Sequence, residues 1–280
     1  MNRDIDNPFD ILDGRMMISL GPLSSETHCS FSCPFCYVPK GFLQYSTLDI
    51  PDICEFVGKA TDVDIIYISG DTDSFAPPRM DKGLDLLEKL AYEFSKDILI
   101  TTRISMDMRI IKRLKKVARI LENKNKKLFV CISISSPDEN KKIEPLPIPS
   151  VNSRIETLAL LKNNGLCAIL AMRPFLPIYC FDDYKGLIDS LKNSVDLILG
   201  EVWYHDAKKE MWERLTGKPI IHRGVSQKTL MPFNENDTEW EEWNDPQMEK
   251  DIANFCKTLG IPFFMRSSSA IKYLRAQSKS

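Results

Sequence analysis

The run His28-Cys29-Ser30-Phe31-Ser32-Cys33-Pro34-Phe35-Cys36-Tyr37 places three thiols within eight residues at C-x3-C-x2-C spacing. A loop this short can bring three thiolates to three corners of an iron–sulfur cube, and soft sulfur donors suit iron. The fourth iron then has no protein ligand and is open to a small molecule, just as an open position separates catalytic from structural zinc sites. Three other readings stand beside this one. Zinc needs a fourth ligand, which His28 or Cys54 could supply, although neither falls in the paired C-x2-C spacing of zinc ribbons. A ferredoxin-type cluster needs a fourth cysteine at regular spacing, and none follows the triad. Three unrelated structural thiols would share this spacing only by coincidence. The other five cysteines, at 54, 131, 167, 180 and 256, are scattered. A metal site plus buried thiols is therefore expected, not a disulfide framework.

Outward from the triad, short β-branched apolar runs alternate with segments of helical period. Strands are expected at Met16 to Leu20, just ahead of the triad, and at Asp64 to Ser69, Asp97 to Thr102, Lys127 to Ser133, Cys167 to Met172, Asp196 to Trp203 and Ile261 to Met265. Helices are expected near 50–60, 82–95, 107–122, 154–164, 182–193 and 246–259. For the helix at 154, Ser153 and Glu156 form a capping-box pair and Asn164-Gly165 supply the left-handed stop. Strand then helix, repeated about six times with near-continuous apolar strands, describes an α/β sheet covered by helices. Periodicity does not decide whether that sheet curls into a barrel or stays open and doubly wound. In both, the C-terminal ends of the strands build the active site.

Two stretches break the rhythm. Glu144 to Pro149 (EPLPIP) reads as a proline-stiffened loop on the active-site rim. The region 205–244 has no clean period and holds Trp212, Trp240 and Trp243 with His205, His222 and Arg223. Its length marks a lid or substrate-binding insertion within a single 280-residue domain, its tryptophans completing an apolar patch or stacking on a planar substrate.

The composition, 43% hydrophobic and 27% charged, is that of a chain that buries an ordinary core. With a net charge of -2 and a pI near 6.0, the molecule has no overall field to steer a polyanion toward it. The basic run Arg109, Lys112, Arg113, Lys115, Lys116 and Arg119 surrounds Ile110, Ile111, Leu114 and Val117 at helical spacing, as a solvated outer helix does. The start MNRDIDNPFD lacks a basic and apolar secretory leader, and no segment has ~18 consecutive apolar residues. A cytoplasmic protein without membrane partners is expected.

Cys29, Cys33, Cys36 and the adjoining Tyr37 resemble the signature of the radical S-adenosylmethionine (radical SAM) superfamily, and the loop follows a first strand as it does there. The resemblance implies a partial TIM-type (β/α)6 barrel. It implies a 4Fe-4S cluster whose open iron binds the amino and carboxylate groups of S-adenosylmethionine. Reductive cleavage of the sulfonium would then give a 5′-deoxyadenosyl radical that abstracts hydrogen from a substrate. The electron would come from a reductase or from a flavodoxin or ferredoxin, and the substrate would be a small molecule, a nucleotide or a peptide. With no second cysteine cluster, redox-neutral isomerisation, epimerisation, lyase chemistry, or oxidation returning electrons to the single cluster remain.

The same resemblance suggests further cofactor contacts. Ile68-Ser69-Gly70-Asp71-Thr72-Asp73 stands where the superfamily has a Gly-Gly-Glu-like motif for the methionine amino group, with Ser69 in place of the first glycine and Asp71 in place of the glutamate. Without the functional reading, Gly70 simply eases a strand-to-loop turn. Ser133 and Ser135 share a face at the fourth strand's end, where ribose or carboxylate is contacted, although strand-end serines also form turns. Thr102 and Arg103, ending the third strand, are given a similar role. Arg154 and Arg173-Pro174-Phe175-Leu176-Pro177 resemble the fourth and fifth units of spore photoproduct lyase-related enzymes, in which an arginine pairs with the cofactor carboxylate. Cys180, just beyond the fifth strand, is the candidate hydrogen-atom donor, against the alternative of a small buried hydrophobe. A lyase-like nucleic-acid enzyme and a non-enzymatic iron–sulfur electron-transfer or regulatory protein are the competing functional readings.

Overall fold

A computed structural model describes residues 10–12, 14–20, 29–38, 49–70, 72–140, 142–208, 210–216, 224–229 and 239–277. In chain order they form β1 (Asp10–Leu12), β2 (Arg15–Ile18), α1 (Ile50–Lys59), β3 (Ile65–Ile68), α2 (Met80–Glu93), β4 (Asp97–Thr102), α3 (Met108–Glu122), β5 (Leu128–Ser133), α4 (Val151–Asn163), β6 (Cys167–Met172), α5 (Phe181–Ser190), β7 (Leu197–Gly200), β8 (Trp203–Asp206), α6 (Glu210–Thr216), β9 (Val225–Thr229), β10 (Trp240–Asn244), α7 (Pro246–Thr258), β11 (Phe263–Phe264) and α8 (Ser267–Gln277). None of these helices is long and apolar enough to cross a membrane.

The central positions of the parallel strands are apolar on both sides because both sheet faces are covered. Ile66, Ile68, Ile98, Ile100, Val130 and Ile132 point outward and pack with Leu84, Leu87, Ile111, Leu114 and Leu158 of the helices. Their alternates Ile65, Tyr67, Leu99, Phe129, Cys131 and Ile169 point inward. Each such burial is worth about 1.5–3 kcal/mol, and a one-residue slip would exchange the two sets, so the pattern fixes the register. The strands align in the order β1-β2-β3-β4-β5-β6-β7-β11. β1 is antiparallel to β2 and the rest are parallel, which gives the expected half-barrel of the TIM type.

One mouth of this half-barrel is plugged by α8. Ala270 and Ile271 complete the inner apolar cluster. Arg15, which begins β2, donates to Ser267, and Arg275 pairs with Asp97, which begins β4. These anchors sit at the N-terminal ends of the strands. The C-terminal mouth is the one left for chemistry.

Three expectations are corrected. The helix expected from 154 starts at Val151, because Ser150, not Ser153, is its N-cap: the Ser150 hydroxyl accepts from the Ser153 N–H at 3.1 Å. Its stop holds, with Gly165 at φ 74°. The strand expected over Asp196 to Trp203 is two strands in different sheets, β7 in the half-barrel and β8 in an antiparallel β8-β10-β9 sheet. Residues 205–244 are correspondingly more regular than their sequence suggested, although 209, 217–223 and 230–238, with His222 and Arg223, lie outside the described residues. The small sheet is held by stacked rings: Trp203 lies 5.1 Å from Trp212 and 5.0 Å from His205, and Trp212 lies 6.4 Å from Trp243.

The break falls at Gly200, where a Cβ would stand 2.5 Å from the Phe175 ring and 2.6 Å from the Met265 sulfur. Gly200→Ala is expected to cost about 1–3 kcal/mol through overpacking, read as a lower urea midpoint with an unchanged m-value.

Candidate active site

Because the parallel strands all end on one rim, the loops after β2 to β7 converge there. They enclose a cavity of about 420 Å³. The cysteine loop contributes Cys29, Cys33, Cys36 and Tyr37, and the ends of β3 to β6 contribute Tyr67, Ser69, Gly70, Asp73, Thr102, Arg103, Ser133 and Arg173. The chain after β7 adds Glu201, Trp203 and Tyr204, and α6 adds Arg214.

Ten of the residues expected from the sequence thus line this one cavity: Cys29, Cys33, Cys36, Tyr37, Ser69, Gly70, Thr102, Arg103, Ser133 and Arg173. Asp71 lies outside the described residues. Arg154, Ser135 and Cys180 are not on the wall, each for a physical reason. Arg154 is buried and spends its guanidinium on Glu144 and on the Ser133 carbonyl, at 2.6 Å. Ser135 accepts from Arg103 Nη2 at 3.0 Å and donates to the Arg173 carbonyl. Cys180 is the N-cap of α5, and its backbone N–H donates to Asp183 at 2.7 Å.

Ser69 sits at φ 70°, the left-handed region that favours glycine and costs other residues on the order of 1–3 kcal/mol. Its hydroxyl accepts from the Ser74 N–H at 2.9 Å, which braces the turn. Gly70 follows where a Cβ would approach Met17 Cβ to 3.3 Å. Asp73 accepts from the Thr102 hydroxyl at 2.9 Å, the Arg103 N–H at 2.8 Å and the Phe75 N–H at 3.0 Å, tying the ends of β3 and β4 together. Burial nonetheless pushes its carboxyl above the usual range.

The cysteine loop is held from two sides. Trp203 Nε1 donates to the Phe35 carbonyl at 3.0 Å, and the Arg103 guanidinium lies 5.2 Å over the Phe35 ring. Tyr37 meets Tyr204 edge to face at 5.8 Å. Burial pushes the Cys33 thiol up to about 11 and Cys36 to about 12, and raises Cys29. For Cys33 and Cys36, neighbouring thiols of the triad add to the rise, so the three feel one another's charge. Among the described residues no three His, Cys, Asp or Glu side chains form a group that could hold a metal ion as they stand, and all three cysteines are free thiols. Their donor chemistry and shared wall fit an iron–sulfur cluster, whose cationic core offsets the charge that burial disfavours.

Beneath the floor lies a buried charge network that the sequence did not reveal. The EPLPIP segment does more than line the rim: its Glu144 turns inward and is 4% exposed. It pairs with Arg103 at 2.6 Å and with Arg154, and accepts from the Ser135 N–H at 3.2 Å. The two guanidinium groups hold the Glu144 carboxyl below the usual range despite burial.

The Radical SAM superfamily model matches residues 25–191, more than half of the chain. No curated protein matches it. Among solved structures, a spore photoproduct lyase complexed with dinucleoside spore photoproduct aligns with TM-score 0.61 at 14% identity, covering 85% of this chain and 74% of that one. A double mutant of spore photoproduct lyase with bound AdoMet and dinucleoside spore photoproduct aligns with TM-score 0.61 at 12% identity, covering 90% and 76%. At these identities the likeness concerns the fold.

Glu144→Ala leaves two buried guanidinium groups without their carboxylate and is expected to cost about 3–5 kcal/mol at pH 7 by urea unfolding. Because the folded pKa lies below the ordinary 4.5, Glu144 stabilises fully above that value and its contribution is lost as pH falls through the lowered pKa. Wild type and Glu144→Ala should therefore converge in stability under acid.

Proposed function

The chain belongs to the radical SAM superfamily, and from that premise we propose that Cys29, Cys33 and Cys36 hold a 4Fe-4S cluster whose open iron receives S-adenosylmethionine. The observation that carries this reading is that the three thiols line the same cavity as Ser69, Gly70, Thr102, Ser133 and Arg173. When bound, the reduced cluster and S-adenosylmethionine supply a 5′-deoxyadenosyl radical that abstracts hydrogen from the substrate. Ser69 and Gly70 line the cavity, and their backbone carbonyls would receive the methionine amino group. Ser133 and Thr102 offer hydroxyls to ribose or carboxylate. Arg173 offers a guanidinium to the carboxylate: its buried Nε has no hydrogen-bond partner, the Glu201 carboxylate lies 3.8 Å away, and the guanidinium also meets the Tyr67 hydroxyl. Phe31, Phe35 and Val38, all buried, keep water from the cysteines.

The substrate side falls to Tyr37, Tyr204, Glu201 and Arg214, supplied largely by the chain after β7. A lyase-like grip on nucleic acid is supported by the fold alone. Much of the basic row of α3 is already answered by α2: Arg109 pairs with Asp81 at 2.9 Å, Arg113 with Asp85 at 2.6 Å and Lys116 with Glu88 at 2.8 Å. The electron is taken from a flavodoxin-, ferredoxin- or reductase-type donor. Eight free thiols suit a reducing compartment such as the cytoplasm.

Cys180 caps α5 and is not among the residues that line the cavity. The reading expects anaerobically reconstituted protein with dithionite and S-adenosylmethionine to release 5′-deoxyadenosine. Cys33→Ala should abolish that release, measured by chromatography, and Cys180→Ala should leave it unchanged. Zinc uptake without iron, or a Cys33→Ala variant as active as wild type, would overturn it.

A further inference from the structure

Arg103 lines the cavity and is also the buried cation packed against the cysteine loop. We infer that Arg103 is a positioning and charge-setting residue of that loop, whose guanidinium makes a cluster on Cys29, Cys33 and Cys36 easier to reduce. The inference rests on the cluster assignment above.

The geometry is specific. Phe35 stands between Cys33 and Cys36, and the Arg103 guanidinium lies 5.2 Å from its ring centroid, within cation–π range. Three hydrogen bonds fix the fork there: to Glu144 at 2.6 Å, to Ser135 Oγ at 3.0 Å and to the Arg173 carbonyl at 3.0 Å. With its side chain 14% exposed, salt screens this charge poorly. Nor is it fully cancelled locally, because the one carboxylate of Glu144 answers both Arg103 and Arg154. Asp73 acts in the opposite sense from the Cys29 side, where it accepts from Arg103's own N–H.

A 4Fe-4S core with a 2+ charge on three thiolates carries a net single negative charge. Reduction adds one electron from an outside donor, makes no bond and moves no obligatory proton, and doubles that negative charge. A nearby buried cation favours the reduced form more than the oxidised one, so it raises the potential. If Arg103 only held the loop in place, substitution would change how much cluster is retained and leave the potential of the retained cluster unmoved.

The test is an EPR-monitored redox titration of the full chain, reconstituted anaerobically, with dithionite as electron source and without S-adenosylmethionine. Arg103→Gln should lower the reduction equilibrium about tenfold, which is 59 mV for a one-electron couple. Arg103→Lys, which keeps the charge and loses the fork, should stay near wild type. Glu144→Gln, which removes the opposing charge, should shift upward, and it carries the test should Arg103→Gln fail to fold. An unchanged potential in Arg103→Gln, equal shifts in the Gln and Lys variants, or a potential at or below wild type in Glu144→Gln would each overturn the inference. Failure of the wild-type chain to bind iron would overturn the cluster assignment itself, an outcome distinct from any of these.

Discussion

Parallel pairing of strands in chain order is the constraint on which the rest depends. Seven strands laid side by side with the same direction must all begin at one rim and end at the other. Each needs a covered crossover to return, so helices coat the outside and the sheet curls around the inner apolar residues. α8 then occupies the rim where strands begin, clipped there by Arg15 and Arg275. Chemistry is left with the opposite rim, where loops distant in sequence meet. The cavity wall therefore draws on residues from Cys29 to Arg214, the last of them supplied by the stretch between β7 and β11.

At that rim the structure has to place charge in a low-dielectric floor. Two guanidinium groups and one carboxylate form a network in which Glu144 bridges the ends of β4 and β5 to the start of α4. A buried pair of this kind adds little net stability over a hydrophobic equivalent, but it is costly to break, so it fixes a geometry. What it fixes is the position of Arg103 against Phe35. The small sheet adds a second clamp through Trp203, so the cysteine loop is gripped by the barrel on one side and by the chain after β7 on the other. Burial raises the Cys33 and Cys36 thiols, which makes them poor free nucleophiles.

Much of this was legible before any coordinates. The C-x3-C-x2-C spacing is local chemistry and short β-branched apolar runs are local geometry, so the triad and the strands could be read directly, whereas the choice of a half-barrel over an open sheet came from the family resemblance. What was lost depends on partners far away. Ser150 and Ser153 are both acceptable caps, and only backbone geometry shows which one closes the helix. Arg154 has the charge and the location of a cofactor ligand, but nothing in EPLPIP announces that Glu144 turns inward and claims it. β9, VSQKT, has no apolar alternation to mark it because its side chains are largely exposed. Trp240 and Trp243 of β10 are both buried although three residues apart, a spacing that reads as helical. Arg103 was visible as a strand-end residue, but its stacking on Phe35 comes from a loop that follows a different strand.

The central claim is that three thiolates hold a cluster with one iron open to S-adenosylmethionine. The most direct measurement is the EPR spectrum of the reduced, anaerobically reconstituted chain before and after addition of S-adenosylmethionine. The expected result is one 4Fe-4S signal whose g-values shift on addition, as an exogenous ligand enters the open iron. A signal that S-adenosylmethionine leaves unchanged, or one whose fourth iron proves to be held by a protein side chain, would contradict it.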